Sequence, residues 1–356
     1  MVKADKKADK KIKVGILGVR GYTGAETLKI LLKHQKIESL KLFSTEEEGK
    51  VQDIIPSLRK YEIIEKVEKF SEEKVDGLDV VFLCTEQNKA HKIVAKLVEL
   101  GIKTLVIDLS PDFRFKNKEE YKRIYGFEHA VPNLLDKTAY GLPELYREEV
   151  KEAEIIANPG CYPTASILAL APLLKYAKEK KIKVLDVIID AKSGVTGAGR
   201  KALHHLTLGY LSENLKVYAW VEHRHVPEIK EKIQDLFGES PEILFSAQLI
   251  PAKRGILETI WVKLDQEPED DLIRYYEDFT KENFFFDFWY EEFPDIYSTT
   301  GTNFIRVGMR KSKNYAILVS VIDNLIKGAS GQAVQNMNIK FGFKENEGLE
   351  LQPYFL

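Results

Sequence analysis

Cysteine is scarce in this chain: Cys84 and Cys161 are the only two in 356 residues. That count excludes a disulfide framework and points to a reducing compartment, so a cytoplasmic location is expected. Long apolar runs are missing as well, and none approaches the ~20 residues of a transmembrane helix. There is no excess of one charge. Lys and Arg total 53 against 55 for Asp and Glu, so the net charge of −2 gives no support for nucleic-acid or anionic-membrane binding. Internal repeats and low-complexity tracts are absent. The Lys-rich stretch from Met1 to Lys13 carries Asp5 and Asp9 and has no apolar centre, so it reads as a frayed tail and not as a signal peptide.

The length suffices for two domains, each with its own core. Ile12–Leu17 reads as a first strand, followed at once by Gly18-Val19-Arg20-Gly21-Tyr22-Thr23-Gly24 and a helix from about Ala25 to Lys33. Strand, glycine-rich turn and helix in that order open a dinucleotide-binding unit, because missing side chains let backbone amides approach a pyrophosphate. The spacing is a G-x-x-G-x-x-G variant, and a merely tight turn is the alternative. A second strand, Ser39–Ser44, ends where an adenine ribose would lie. Ser44 and Thr45 suit a 2′-phosphate there, whereas Glu46 suits a 2′-hydroxyl, which leaves NADP and NAD both open.

Strands at Val80–Leu83 and Thr104–Leu109, with a helix over Lys89–Leu100 between them, continue the alternation of a parallel sheet. Cys84, at the end of the first, reads as structural. The second leads into Ser110-Pro111-Asp112-Phe113-Arg114, which puts Arg114 just past a strand's carboxyl edge, where open α/β sheets bind ligands. A charged helix over Asn117–Tyr125 follows.

The stretch with most chemistry is Asn158-Pro159-Gly160-Cys161-Tyr162-Pro163-Thr164. Ile155–Ala157 finish a strand, Pro159 and Gly160 force a bend, and Ala165–Leu174 make a buried helix that Pro172 bends or closes. Cys161 therefore starts a helix, where unpaired N–H groups favour a thiolate; a small packed residue is the bland alternative. Farther on, Lys183–Ala191 is a strand, and Ser193-Gly194-Val195-Thr196-Gly197-Ala198-Gly199-Arg200 is a second glycine-rich loop. Lys201, His204 and His205 follow it with no metal-ligand spacing. Glu222-His223-Arg224-His225-Val226-Pro227-Glu228 packs two imidazoles and two carboxylates into seven residues. His225, with Glu228 three positions on, fits an oriented acid or base; a charged helix cap is the alternative. Leu215–Val221 leads into that cluster, whereas Phe245–Pro251 and Gly255–Leu264 read as long strands with Lys253-Arg254-Gly255 as the turn between them, which suggests an antiparallel sheet, and Tyr315–Ile322 adds another strand. A last helix, Ala329–Phe341, carries Gln332, Gln335, Asn336 and Asn338. Asp265–Asp271 reads as a solvated acidic loop.

Taken together, these segments resemble the N-acetyl-gamma-glutamyl-phosphate reductase family, relatives of aspartate-semialdehyde dehydrogenase. The resemblance rests on Val14–Glu26, Ile107–Arg114, Tyr140–Leu145, Ala157–Thr164, Ser193–Arg200, His223–Glu228, Arg254–Ile256 and Asp323–Gly328. It implies an α/β protein with a Rossmann-type domain over 1–157, joined by a helix at about 325–356, and an α+β catalytic and oligomerisation domain over 158–324. It also implies NADPH-dependent acyl-phosphate reduction by way of a Cys161 thioester, in a homodimer or homotetramer. His225 and His223 are then the acid/base candidates. Arg114, Arg200, Arg224 and Glu228 are candidates for the substrate, and Ser193, Gly194 and Asn324 join the first glycine turn, Ser44 and Thr45 at the cofactor. Departures from the family pattern occur at Cys84–Asn88, Glu46 and Gln248. A reductase of carrier-bound aminoadipyl phosphate shares nearly all these motifs, and a non-catalytic dinucleotide-binding sensor is the reading from another class.

Overall fold

The computed structural model describes residues 10–46, 48–59, 66–200, 203–290 and 292–350. The N-terminal residues 1–9 and Lys201, read above from sequence, lie outside them, as does the side chain of His205. The chain divides into two compact units: the described residues up to Asn158 with Ala333–Glu350, and Pro159–Gln332.

The first unit runs β1 (Ile12–Leu17), α1 (Tyr22–Leu31), β2 (Ile37–Ser44), β3 (Gly49–Lys50), α2 (Val51–Ile54), β4 (Lys66–Lys69), β5 (Val80–Leu83), α3 (Ala90–Glu99), β6 (Leu105–Asp108), α4 (Lys118–Tyr125), β7 (Ala139–Tyr140), α5 (Pro143–Glu152) and β8 (Ile155–Ala157). Its sheet has the order β3-β4-β2-β1-β5-β6-β8-β7 and is parallel except for β3 against β4. Every residue of β5, β6 and β8 is buried. Continuous apolar runs of this kind are what a parallel sheet covered on both faces requires. Strand order reverses at β1, whose neighbours are β2 and β5, and the crevice at such a switch point is where open α/β sheets bind ligands.

The second unit begins with α6 (Cys161–Lys180), followed by β9 (Val184–Ser193), α7 (Leu208–Leu211), β10 (Lys216–Trp220), α8 (His225–Phe237), β11 (Glu242–Leu249), β12 (Ile256–Leu264), α9 (Leu272–Glu282), β13 (Phe286–Tyr290), α10 (Ile296–Thr299), β14 (Ile305–Ser312) and β15 (Tyr315–Ile322). One π-turn, Ile326–Ser330, precedes α11 (Gly331–Phe341), most of which belongs to the first unit. The sheet order is β10-β11-β9-β12-β15-β14-β13, mostly antiparallel, with β11 parallel to β9 and β13 parallel to β14. Burial alternates strictly along β11 and β12, so one face packs under α6, α8 and α9.

The architecture is the expected α/β one, with differences in detail. The first helix starts at Tyr22, three residues early, because the glycine turn is already its N-terminus. Pro172 does not close α6. The helix continues to Lys180 and stops at Lys181, which adopts a left-handed conformation. β11 and β12, adjacent in sequence, are separated by β9, so the turn at Lys253–Gly255 does not close a hairpin.

Candidate active site

The first glycine turn has the geometry its composition requires. Gly18 has φ +91°, and a Cβ there would sit 2.3 Å from the Cys84 carbonyl oxygen. A Cβ on Gly24 would sit 2.3 Å from the Gly18 oxygen. Only glycine permits so close a fold-back. Gly21 caps α1 without a side-chain hydrogen bond, and no acidic residue occupies the first turn. Bare backbone around a helix start at the sheet's switch point is a cradle that fits a dinucleotide pyrophosphate. Tyr22 is exposed and Thr23 half-buried beside it. Arg20 reaches toward β3, its guanidinium 3.6 Å from where a Gly49 Cβ would be. Ser44 is buried and its Oγ accepts the Glu46 N–H at 3.2 Å, while Thr45 and Glu46 are exposed. Burial pushes the Cys84 thiol up to about 12, so it is not a thiolate at neutral pH.

Arg114 is buried in the same unit, donating from Nε to the Asn158 carbonyl at 2.9 Å and from Nη2 to the Leu109 carbonyl at 3.1 Å. Its neighbour Asp112 is a hub. The carboxylate accepts the N–H groups of Asn88 and Lys89 at the start of α3, at 2.8 and 3.0 Å, and the Tyr121 hydroxyl from α4 at 3.0 Å. Burial and the Asp112 charge together hold the Asp108 carboxyl well above the usual carboxylate range.

In the second unit Cys161 is the first residue of α6, half-buried. The amide just before it is held from another helix: Glu228 of α8, fully buried, accepts the Gly160 N–H at 3.0 Å. The carboxylate expected to orient His225 is the one that anchors the turn before Cys161. His225 opens α8 and is buried. His223 Nδ1 accepts the His225 backbone N–H at 3.1 Å, which leaves the His223 ring proton on Nε2 when the imidazole is neutral. Burial, then the Arg224 charge, lowers His223 to about 4, so it is neutral across the physiological range.

Tyr162 links these groups. Its ring lies edge-on to His223 and His225, with centroids 5.5 and 5.8 Å away, and its hydroxyl accepts a 2.9 Å hydrogen bond from Tyr218 on β10. Burial pushes Tyr218 up to about 12, with the Cys161 charge adding to the shift, so Tyr218 is a neutral phenol near the thiol. Sequence reasoning missed Tyr218, since a lone tyrosine in a half-exposed strand carries no local signal. It also passed over Gly328. A Cβ on Gly328 would meet the Cys161 Cβ at 2.8 Å, so the glycine of the Asp323–Gly328 segment is needed for the thiol's own seat. The glycine that closes the Asp323–Gly328 segment, one of those on which the family resemblance rests, was the available clue. Asp323 accepts the N–H groups of Gly301 and Leu325, both at 2.9 Å.

The second glycine loop is fixed by backbone bonds from Gly194, Val195 and Thr196 to residues 252–255, at 2.9, 3.0 and 3.2 Å. Asn324 ties the same two segments, accepting from Gly255 N at 2.8 Å and donating to Thr196 Oγ1 at 3.0 Å. Ser193 is buried and donates to the Gly194 carbonyl. Arg200 and Arg224 are exposed. The structure therefore gathers Cys161, Glu228, His223, His225, Tyr162 and Tyr218 around one helix start.

Known proteins resemble both units. The family described as "Semialdehyde dehydrogenase, NAD binding domain" matches residues 13–153, and its companion "Semialdehyde dehydrogenase, dimerisation domain" matches residues 161–324. N-acetyl-gamma-glutamyl-phosphate reductase from Caldicellulosiruptor bescii is 43% identical over 344 residues, covering 95% of this chain and 98% of its own. The protein of the same name from Acinetobacter baumannii strain SDF is 44% identical over 349 residues, with the same coverage of both chains. Among solved structures, aspartate semialdehyde dehydrogenase II of Vibrio cholerae superposes with a TM-score of 0.70 at 17% identity, covering 93% of this chain and 98% of its own. The Candida albicans aspartate semialdehyde dehydrogenase with NADP gives 0.64 at 16% identity, covering 92% and 98%. At those identities the structures speak for the fold alone.

Proposed function

Because the chain belongs to the semialdehyde dehydrogenase family and, over nearly all its length, to its N-acetyl-gamma-glutamyl-phosphate reductase branch, we propose that it reduces N-acetyl-gamma-glutamyl phosphate to N-acetylglutamate semialdehyde, a step of arginine biosynthesis. The observation that carries the residue-level reading is the anchored helix start: Cys161 opens α6, and Glu228 of the helix that begins with His225 holds the amide before it. A carrier-bound aminoadipyl substrate finds no support among the relatives named above.

In this reading Cys161 Sγ attacks the acyl carbonyl, the C–O bond to phosphate breaks, and inorganic phosphate leaves with the bonding pair. His225 takes the thiol proton before attack, and the neutral His223, whose Nδ1 is engaged by α8, keeps the first turn of that helix in place. Backbone N–H groups at the start of α6 stabilise the oxyanion of each tetrahedral species. Gly18, Arg20, Gly21, Tyr22, Thr23 and Gly24 would hold the pyrophosphate side of a nicotinamide dinucleotide, with Arg20, Ser44 and Thr45 toward a 2′-phosphate, so NADPH is the proposed cofactor. Bound there, the reduced nicotinamide supplies the hydride that the thioester carbon accepts. The C–S bond then breaks, Cys161 returns as thiolate and the aldehyde leaves. Arg114, Arg200 and Arg224 supply the cations that a phosphate and a carboxylate require. Ser193, Gly194 and Asn324 form the loop that is assigned to the nicotinamide end.

The test is Cys161→Ser, assayed as phosphate-dependent oxidation of N-acetylglutamate semialdehyde with NADP, and beside it with NAD and with the carrier-bound aminoadipate semialdehyde. A loss of at least ~10³-fold in kcat with cofactor binding retained is expected. Near-normal turnover in the serine variant excludes the thioester.

The second unit matches a dimerisation domain, and we propose a homodimer or homotetramer paired through the outer face of its sheet. Ile188, Leu244 and Trp220 are exposed on its strands, Trp220 to 79%. Two cysteines, neither in a disulfide, support a reducing, cytoplasmic setting. Among the described residues no helix is long and apolar enough to cross a membrane.

A further inference from the structure

Glu258 of β12 is fully buried, on the sheet face that packs against α6. Its Oε2 accepts a 2.7 Å hydrogen bond from Ser166 Oγ, whereas Oε1 has no hydrogen-bond partner among the described residues. Register puts Ala191 of β9 and Ser320 of β15 on either side of it, and Ser320 Oγ donates to the Ala165 carbonyl of α6 at 3.0 Å. The groups facing the carboxyl are therefore Ser166 and Ala165 from the helix, and Ala191 and Ser320 from the flanking strands. None is charged. By alternation Asp186, Asp190 and Lys192 of β9 and Lys263 of β12 lie on the opposite face. The titratable groups of α6 stand toward its ends, with Cys161 and Tyr162 at the start and Lys175, Tyr176, Lys178, Glu179 and Lys180 in the last turns.

A carboxylate has about four lone-pair sites and needs most of them satisfied to stay ionised away from water. One serine hydroxyl does not do that. Burial accordingly pushes Glu258 up to about 8, the Ser166 bond being the one influence in the other direction.

We propose that Glu258, packed beneath Ser166, is a latch that seats α6, and with it the Cys161 thiol, only while its carboxyl carries a proton. Glu258 is then a positioning residue for the thiol chemistry, and this role rests on the reading of Cys161 as nucleophile. When the carboxyl ionises, the charge has to be hydrated, and the layer that must open is the one between β12 and α6. Ser166 lies five residues along the helix from Cys161, about 7.5 Å of rise. In a close-packed interior a shift at Ser166 is passed along the rigid helix to its first residue.

The test reads kcat of the phosphate-dependent oxidation as a ratio, about pH 9 over about pH 7. One group ionising near 8 takes the wild-type ratio to roughly one tenth. Glu258→Gln cannot ionise, and its ratio is expected to exceed the wild-type one by at least about fivefold. Ser166→Ala removes the bond that favours the charged form, so its alkaline decline should move to higher pH. A second readout does not depend on catalysis. Folded wild type keeps a proton that the unfolded chain releases above the ordinary Glu value. Its stability therefore declines from roughly pH 5 to 8 and levels off above, while the Gln variant lacks that decline. The Tm difference between the two should grow over the same window. Equal activity ratios for wild type and Glu258→Gln overturn the latch, whatever the Tm values do; should the Gln variant not fold, an unmoved alkaline decline in Ser166→Ala overturns it. Activity in Cys161→Ser sinks the underlying nucleophile reading instead, so the two failures are separable.

Discussion

Gly328 shows how little room the thiol has. A methyl group there would press at 2.8 Å on the Cys161 Cβ and at 3.2 Å on Ile322 Cδ1, and the first of these belongs to a helix start that cannot swing aside like a flexible side-chain end. Gly328→Ala should therefore displace the Cys161 thiol, the proposed nucleophile, more than it disturbs the fold. Since a 1 Å misplacement can cost ~10²-fold in rate, a loss of about that size in kcat/KM is expected, with a far-UV spectrum close to wild type. Unaltered kinetics would mean that the turn relaxes without moving Sγ. The tyrosine pair belongs to the same scale. Tyr162 stands in the cysteine motif, while Tyr218 comes 56 positions later, so only the folded chain brings their hydroxyls to 2.9 Å.

At the scale of elements, Asp112 links the starts of two helices to one strand end. Its carboxylate accepts N–H groups from the turn into α3 and the Tyr121 hydroxyl of α4, while His91 of α3 stacks on His129 at 4.8 Å. Asp112→Asn presents an amide N–H₂ to donors that need an acceptor. A destabilisation of about 1–3 kcal/mol is expected, measurable as a lowered urea midpoint with unchanged slope. Elements with strong local signals were legible in the sequence: Val80–Leu83 and Tyr315–Ile322 are strands over the residues expected, because short apolar runs rich in β-branched and aromatic residues and bounded by polar or turn residues favour a strand. The sequence reading assigns no strand to Phe286–Tyr290 or Ile305–Ser312, and it joins β11 to β12 through a turn. Both shortfalls have one cause. Which strand lies beside which is decided by non-local pairing, and the insertion of β9 between β11 and β12 leaves no mark in either sequence. At the site, the cysteine turn and the His223–Glu228 cluster were legible as types in a pattern; that Glu228 reaches Gly160 was not, because the bond spans 68 residues.

For the whole molecule, the sheet of the second unit has one face packed by helices and another carrying Ile188, Leu244 and Trp220 in the open. Exposed apolar side chains on one sheet face mark an interaction surface. Replacing Ile188 and Leu244 by Lys should shift the sedimentation coefficient toward that of a single chain, while the near-UV spectrum of each unit is kept. An unchanged mass would place the pairing surface elsewhere. The two cysteines, neither in a disulfide, differ in the same global sense. Cys84 sits where burial suppresses its ionisation, and Cys161 sits half-buried at a helix start, the position that the proposed thiol chemistry requires.

The anchor from Glu228 to Gly160 also has a temporal side. A ribosome making this chain releases Gly160 and Cys161 first, Glu228 68 residues after Gly160, and Gly328 later still. Until Glu228 has emerged, the Cys161 thiol stands on a turn with no carboxylate to hold it, and until Gly328 has emerged the seat against its Cβ is open. The seat of this thiol is thus completed late in synthesis, after the strands of the first unit up to β8 have already been made. A fragment ending before α8 would carry the cysteine without the means to present it.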